Sequence, residues 1–210
     1  GRSVRPDHRR TRGQRAVTPA AVRVLLVRHP QTVANVEGRY VGRQDSPLTE
    51  LGRKQTEELA AAVAAFGPEV VFSSPLGRAL DCARLVASPG LDVTVLPALQ
   101  EIDFGQAEGL TWQEIAAGGL AFDYYGTGPI APEGEDAACF DRRVREAASA
   151  IEGAGERVVV VTHGGVMRRL LAIWLGIPTR ASWRFELPNA VTVELRVVSG
   201  EGVLVRLGPA

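Results

Sequence analysis

Short aliphatic runs alternate along the chain with longer stretches in which apolar residues recur every three or four positions. Val22 to Val27, Glu69 to Phe72, Asp92 to Leu96 and Arg157 to Thr162 are rich in β-branched residues, and the last is almost continuously aliphatic. Such runs predict strands covered on both faces, at the centre of a sheet. Thr49 to Phe66 has helical spacing, with Leu51, Leu59, Ala62, Val63 and Phe66 expected on one face, Thr49 as N-cap and Gly67-Pro68 as the stop. Leu76 to Ala87, Ala137 to Ile151 and Gly165 to Leu175 repeat that spacing, and in the second Asp141, Arg142, Arg143, Arg145 and Glu146 are expected on a solvated face. Near the end, Ala190 to Val198 and Val203 to Leu207 alternate around Ser199-Gly200-Glu201-Gly202, which predicts a hairpin. The order of elements predicts an α/β fold: a three-layer α/β/α sandwich with a mostly parallel central sheet and an antiparallel edge hairpin near the C-terminus.

The stretch from Gly118 to Asp136 breaks both periodicities. It is rich in glycine, proline and aromatic residues, among them Phe122, Tyr124, Tyr125, Pro129 and Pro132. A loop of that length inside a compact domain is expected to be a lid or a binding wall, and its aromatics count against a plain linker.

Composition narrows the function classes. With 210 residues, of which 45% are hydrophobic, the chain can fill one core. Its 24 basic and 24 acidic residues balance, which argues against a generic polyanion as partner. The balance hides an asymmetry, because residues 1–21 carry six arginines and one acid, leaving 18 basic against 23 acidic residues elsewhere. Residues 1–21 are read as a basic, disordered arm and 22–210 as the folded domain; the arm alone does not make nucleic acid an expected partner. Arg9-Arg10 is not followed by an apolar stretch before Arg23, and no run approaches the ~20 apolar residues of a membrane span. A soluble, cytoplasmic protein is expected. Cys82 and Cys139 sit in apolar helical patterns without CxxC spacing, which predicts buried free thiols, and the three histidines show no metal-ligand spacing.

Chemistry is suggested at three junctions. In an open α/β sheet, ligands collect beyond the carboxyl ends of strands. Arg28-His29 follows the first strand and precedes Pro30, whose fixed φ suits a first helical turn. Thr162-His163-Gly164-Gly165 follows the strand ending at Val161, with glycines that let backbone amides approach an anion. Ser73-Ser74-Pro75-Leu76-Gly77-Arg78 follows the strand ending at Phe72. Taken singly, each histidine is better explained as a structural residue. Together, Arg28, Arg78 and two imidazoles could converge on one tetrahedral anion, and two guanidiniums suit phosphate.

These blocks resemble the histidine phosphatase superfamily, also called phosphoglycerate mutase-like proteins. The resemblance is carried by Arg28-His29-Pro30-Gln31-Thr32 with Asn35, by Gly42-Arg43-Gln44-Asp45-Ser46-Pro47-Leu48-Thr49 with Gly52, and by Ser73-Ser74-Pro75-Leu76 with Arg78. It continues in Leu99-Gln100-Glu101 with Phe104-Gly105 and Glu108-Gly109, and in His163-Gly164-Gly165. It covers about residues 22 to 195. The resemblance implies that His29 is the nucleophile that becomes phosphohistidine, that Arg28 and Arg78 clamp the phosphate, that Asn35 is a further donor and His163 the second imidazole. It implies Glu101 as proton donor, with Asp103 and Glu108 as nearby competitors, and neither metal nor cofactor. The Gly164 amide joins Arg28, Arg78 and His163 as a candidate for holding the equatorial oxygens.

Two features bear on activity. Pro30 stands where the family usually has glycine, so a backbone donor is lost there; either the remaining donors suffice or catalysis is weakened. Gly109 to Glu135 contains no Arg or Lys, and a cleft wall without cations should hold a second anionic group poorly. That favours a phosphomonoesterase acting on a small phosphorylated metabolite, similar to the branch that includes α-ribazole phosphatases, over a cofactor-dependent phosphoglycerate mutase. A phosphate-ligand binding module with weak catalysis is the third reading. Trp112, Phe122, Tyr124 and Tyr125 could meet an apolar leaving group, and Trp174, Trp183 and the final hairpin could face a second subunit in a homodimer.

Overall fold

The computed structural model describes residues 21–124 and 126–209, so the basic arm (but for Ala21) and Tyr125 lie outside the described residues. The chain runs β1 (Val22–Arg28), α1 (Val33–Val36), α2 (Glu50–Phe66), β2 (Val70–Ser73), α3 (Gly77–Val86), β3 (Val93–Val95) and α4 (Trp112–Ala117). It continues with α5 (Ala137–Glu152), β4 (Arg157–Thr162), α6 (Gly164–Trp174), α7 (Thr179–Ser182), β5 (Val191–Val198) and β6 (Glu201–Pro209). The strands form one sheet in the order β3-β2-β4-β1-β5-β6. The first four are parallel, and β5 and β6 add antiparallel at one edge.

The near-continuous aliphatic runs of β1 and β4 sit where two-sided burial demands them, whereas β3, expected at the centre, lies at the sheet edge with Thr94 and Val95 exposed. Val24 and Leu26 of β1 and Val158 and Val160 of β4 face a core closed by α5 and α6, with Ile151, Met167, Leu170 and Trp174. The alternate residues, Leu25, Val27, Val159 and Val161, face a second core closed by Leu59 and Val63 of α2 and Cys82 of α3. Successive side chains of a strand point to opposite faces, so both sets are apolar and the molecule has three layers, as the alternation predicts. A smaller cluster of Ile102, Phe104, Ile115 and Ile130 lies under the segment after α4. That segment, Gly118 to Asp136, is a packed wall: Phe122 and Tyr124 pack with tilted rings among Tyr40 and Phe104.

Several local expectations are corrected by packing. On α2 the buried face is Gly52, Thr56, Leu59, Val63 and Phe66, while Leu51 is 51% exposed and Ala62 half-buried. The first turn abuts the chain at Gln31, where a Cβ on Gly52 would lie 2.1 Å from the carbonyl oxygen. That contact rotates Leu51 outward. On α5, Arg142, Arg145 and Glu146 are exposed, but Asp141 and Arg143 turn inward. Cys82 is fully buried, which pushes its thiol up to about 12, whereas Cys139, on the first turn of α5, is exposed. The hairpin turn is confined to Ser199 and Gly200, both with positive φ, and β6 begins at Glu201. Trp174 is buried and donates its indole hydrogen to Glu152 at 2.7 Å, so it does not face a partner. Among the described residues, no helix is long and apolar enough to cross a membrane.

Leu59 is completely enclosed between α2 and the sheet. Leu59→Ala should lower the unfolding free energy by about 2–5 kcal/mol, measured by urea denaturation, through lost burial and the cavity left behind.

Candidate active site

Parallel pairing of β1 with β4 opposes Arg28 to Thr162, so the next residues, His29 and His163, emerge side by side at the carboxyl edge. The His29 backbone amide donates to Thr162 O at 2.9 Å, and the two imidazole centroids are 5.1 Å apart. The neighbouring β2 contributes Ser74, whose amide donates to Val161 O at 3.0 Å. Three strand ends thus bring both histidines and Ser74 into one buried cluster, in which His29 is 4% and His163 0% exposed.

The hydrogen bonds of each imidazole define its state. His29 Nδ1 lies 2.8 Å from Pro30 O. A carbonyl oxygen only accepts, so Nδ1 carries the hydrogen and Nε2 presents a lone pair. Proline keeps its carbonyl, and the residue that lacks an amide hydrogen still orients the ring. His163 Nε2 lies 2.7 Å from Ser74 Oγ, which accepts from the Leu76 amide at 3.3 Å and can donate its own hydrogen to the ring. In that arrangement the His163 proton is on Nδ1, a buried atom with no partner among the described residues. Burial, followed by the guanidiniums of Arg78 and Arg28, holds His29 well below its ordinary pKa. Burial and then Arg78 do the same to His163.

The positive charges are anchored largely by backbone carbonyls. Arg78, on the first turn of α3 and 4% exposed, donates to Gln44 O at 2.7 Å and Gly42 O at 2.9 Å, and is 3.3 Å from Asp45 Oδ1. Arg28 donates to Leu187 O, and its Nε is buried without a partner among the described residues. Burial lowers the pKa of both guanidiniums, with the Glu101 carboxylate as the leading opposing influence.

Of the three candidate acids that follow β3, Glu101 is the one that reaches the histidine edge. Its Oε2 accepts from the Gly165 amide at 2.9 Å and its Oε1 from the Ile102 amide at 3.0 Å. A Cβ on Gly165 would lie 2.4 Å from Glu101 Oε1, so the approach requires glycine. Glu108 is committed to the amides of Gly42, Arg43 and Phe104, and Asp103 to the amide of Gly105. Asn35 sits in the capping box of α1, its Oδ1 accepting from Thr32 N and Asn189 Nδ2, both at 3.0 Å. Gly164 opens α6 directly after His163.

The supporting roles of four residues escaped the sequence reading. Ser74 orients His163, and Asn189 donates to His29 O at 3.2 Å. Asp45 accepts from the amides of Gly77 and Arg78 and braces Arg78. Arg143 donates to Ala98 O, Gln100 O and Glu101 O at 2.6–3.0 Å and pairs with Glu135, so it holds the backbone that carries Glu101. The available signal for Arg143 was negative: Cys139 and Ala147, its neighbours four positions away, are not acids.

Beside Gly165 opens a cavity of about 390 Å³ lined by Ile102, Tyr124, Phe140, Arg168 and Trp183. The expectation of a cleft without cations is corrected here: the segment from Gly109 to Glu135 brings none, but α6 and α7 supply Arg168, Arg169 and Arg180 to the same cavity. Among the described residues, no group of three or more His, Cys, Asp or Glu side chains is placed to hold a metal ion.

The geometry has counterparts. The family described as "Histidine phosphatase superfamily (branch 1)" matches residues 24–209. A Yersinia enterocolitica protein named "Probable phosphoglycerate mutase GpmB" is 35% identical over 181 residues, which are 80% of this chain and 81% of that protein. The solved structure of Bacillus stearothermophilus YhfR is 32% identical with a TM-score of 0.79, covering 90% of this chain and 98% of its own. The α-ribazole phosphatase from Shigella flexneri is 27% identical with a TM-score of 0.79, covering 90% and 96% respectively.

The buried imidazoles imply a pH dependence of stability. Both are uncharged in the folded chain, whereas an unfolded chain takes up protons as the pH falls through about 6.5. The unfolded state then binds more protons, so stability is complete above about pH 6.5 and declines below it, by up to ~1.4 kcal/mol per pH unit for each imidazole. Urea midpoints should fall more steeply below that pH in the native chain than in His29→Gln; identical slopes would mean that His29 is not held neutral.

Proposed function

The chain belongs to the histidine phosphatase superfamily, and from that membership and the site's geometry we propose that it is a metal-independent phosphomonoesterase that works through a phosphohistidine at His29. The substrate class is a small phosphorylated metabolite. The observation that carries the reading is the state of His29: a buried, neutral imidazole, its Nδ1 hydrogen held by Pro30 O and its Nε2 bare, beside two guanidiniums.

Such an Nε2 can attack phosphorus in line with the leaving oxygen. Arg28, Arg78, the Gly164 amide and the His163 Nδ1 hydrogen supply donors for the phosphoryl oxygens, with Asn35 as a further donor, and stabilise the charge spread over them in the transition state. As the P–O bond breaks, the proton of a substrate bound as its phosphate monoanion passes through Glu101 to the leaving oxygen, which leaves the carboxylate ionised. The resulting carboxylate takes a proton from water, which attacks phosphorus, breaks the P–N bond and releases phosphate with His29 regenerated. Glu101 is suited to both steps because two amides and the carbonyl grip of Arg143 fix its position. Retention of every donor except the amide that Pro30 lacks supports catalysis over a binding module.

A mutase is the second reading, favoured by the arginines of the cavity and by the name of the Yersinia relative. Isomerisation of a phosphoglycerate that depends on a bisphosphate primer, exceeding hydrolysis, would select it.

In chelator, the native chain should release phosphate from 4-nitrophenyl phosphate, and His29→Ala should reduce turnover by roughly a thousandfold or more, as loss of a nucleophile does. Undiminished turnover in the variant would remove His29 from the chemistry. Glu101→Gln should lower kcat/KM, which reports phosphoryl transfer to His29 and not the later water step, by about 10²–10⁴ on alkyl phosphates and by much less on 4-nitrophenyl phosphate, whose leaving group needs no proton. Equal losses on both would assign Glu101 a structural role.

A further inference from the structure

The segment Leu187-Pro188-Asn189-Ala190, which leads into β5, touches three residues of the site. The Leu187 carbonyl accepts from Arg28, and the Ala190 amide and Asn189 Nδ2 donate to His29 O at 3.3 and 3.2 Å. The same Asn189 nitrogen lies 3.0 Å from Asn35 Oδ1. Two successive residues meet one carbonyl through an unusual backbone: Ala190 has a φ of +60°, in the left-handed region that a residue with a Cβ rarely adopts. Such a conformation persists where surrounding contacts over-determine it, and it is concentrated at functional positions.

The partners fix which way both side-chain amides face. The Thr32 backbone amide, 3.0 Å from the Asn35 side chain, only donates, so the Asn35 atom there is the oxygen. His29 O and Asn35 Oδ1 only accept, so the Asn189 atom between them is the nitrogen. Asn35 Oδ1 is thus engaged by Thr32 N, Thr32 Oγ1 and Asn189 Nδ2, all at 3.0 Å, while Asn35 Nδ2 makes no hydrogen bond among the described residues. Its hydrogens are available to an anion at His29. Pro30 contributes no backbone hydrogen there, which leaves more of the task to side-chain amides. Helix α1, which carries Asn35, has four residues and buries only Ala34, so packing alone does not fix the Asn35 side chain.

We propose that Asn189 is a positioning residue of the phosphate site and acts through Asn35, holding its oxygen so that its amide hydrogens face a phosphoryl group at His29. A donor aimed before the ligand arrives needs no reorientation as charge develops on the phosphoryl oxygens. The strained turn at Ala190 is the backbone arrangement that brings this amide to both His29 and Asn35. The proposal rests on the phosphomonoesterase reading for the place of the phosphoryl group and on nothing else in that mechanism.

The test is a double-mutant cycle on the full chain, read by calorimetric binding of inorganic phosphate to the native chain, Asn35→Ala, Asn189→Ala and the double variant. Asn35→Ala should weaken binding roughly ten- to a hundredfold, the worth of a hydrogen bond to a charged group, and Asn189→Ala by a comparable factor. The double variant should bind no more weakly than Asn35→Ala alone, because the second residue acts through the first. Losses that multiply in the double variant, or native affinity in Asn189→Ala, overturn the proposal. If Asn189→Ala does not fold, Asn189→Leu, close to asparagine in size, takes its place in the cycle. The native chain gives a reading without substitution: on titration with phosphate the side-chain amide resonances of Asn35 should shift in a nitrogen–proton NMR spectrum, and unmoved Asn35 resonances beside a responding His29 ring overturn the proposal. Phosphate binding needs no turnover, so a chain that binds phosphate but hydrolyses no ester refutes the phosphomonoesterase reading and leaves the cycle to decide. A chain that binds no phosphate overturns both.

Discussion

The parallel pairing of β1 with β4 is the constraint from which the site follows. Because Arg28 opposes Thr162, the residues one step beyond are both histidines, and neither can move along its strand without carrying a column of enclosed valines and leucines with it. A shift of one residue would turn each strand's two apolar sets onto the wrong cores. The burial that stabilises the sheet thereby fixes the separation of the two imidazoles, and the same burial keeps them uncharged.

Around that pair the protein manages charge in an unequal way. Arg78 and Arg28 are held mainly by carbonyl oxygens, which satisfy guanidinium hydrogens while neutralising little charge. Asp45 touches Arg78 from its exposed side, and Glu101 is bound by amides. The centre therefore keeps a positive field in the absence of ligand, which disfavours imidazolium and suits an oxyanion. Arg143 shows the opposite solution, a guanidinium paired with Glu135 and used as a structural bracket for the Glu101 backbone.

Two small residues carry geometric demands of the site. Gly165 admits Glu101 to the start of α6, where any side chain would exclude it. Pro30 departs from the glycine usual in the family, yet what His29 uses at that position is a carbonyl oxygen, which proline retains. The departure therefore leaves the orientation of the His29 ring intact.

Local sequence determined the strands, the main helices, the cap at Thr49 and the three strand-to-helix junctions, because each depends on spacing within a few residues. Those junctions were sufficient to single out His29, His163, Arg28 and Arg78, which the fold brings near one another. Tertiary structure decided what depends on faces meeting across distant segments. Leu51 turned outward because Gly52 abuts Gln31, Arg143 turned inward because unpaired carbonyls of residues 98–101 lay beneath α5, and Glu101 was separated from Asp103 and Glu108 by which amides each could reach. The cations of the cavity beside Gly165 are the clearest case. The segment forming its wall has none, and Arg168 and Arg180 arrive from helices more than thirty residues further along, a placement set by helix packing and not by local spacing.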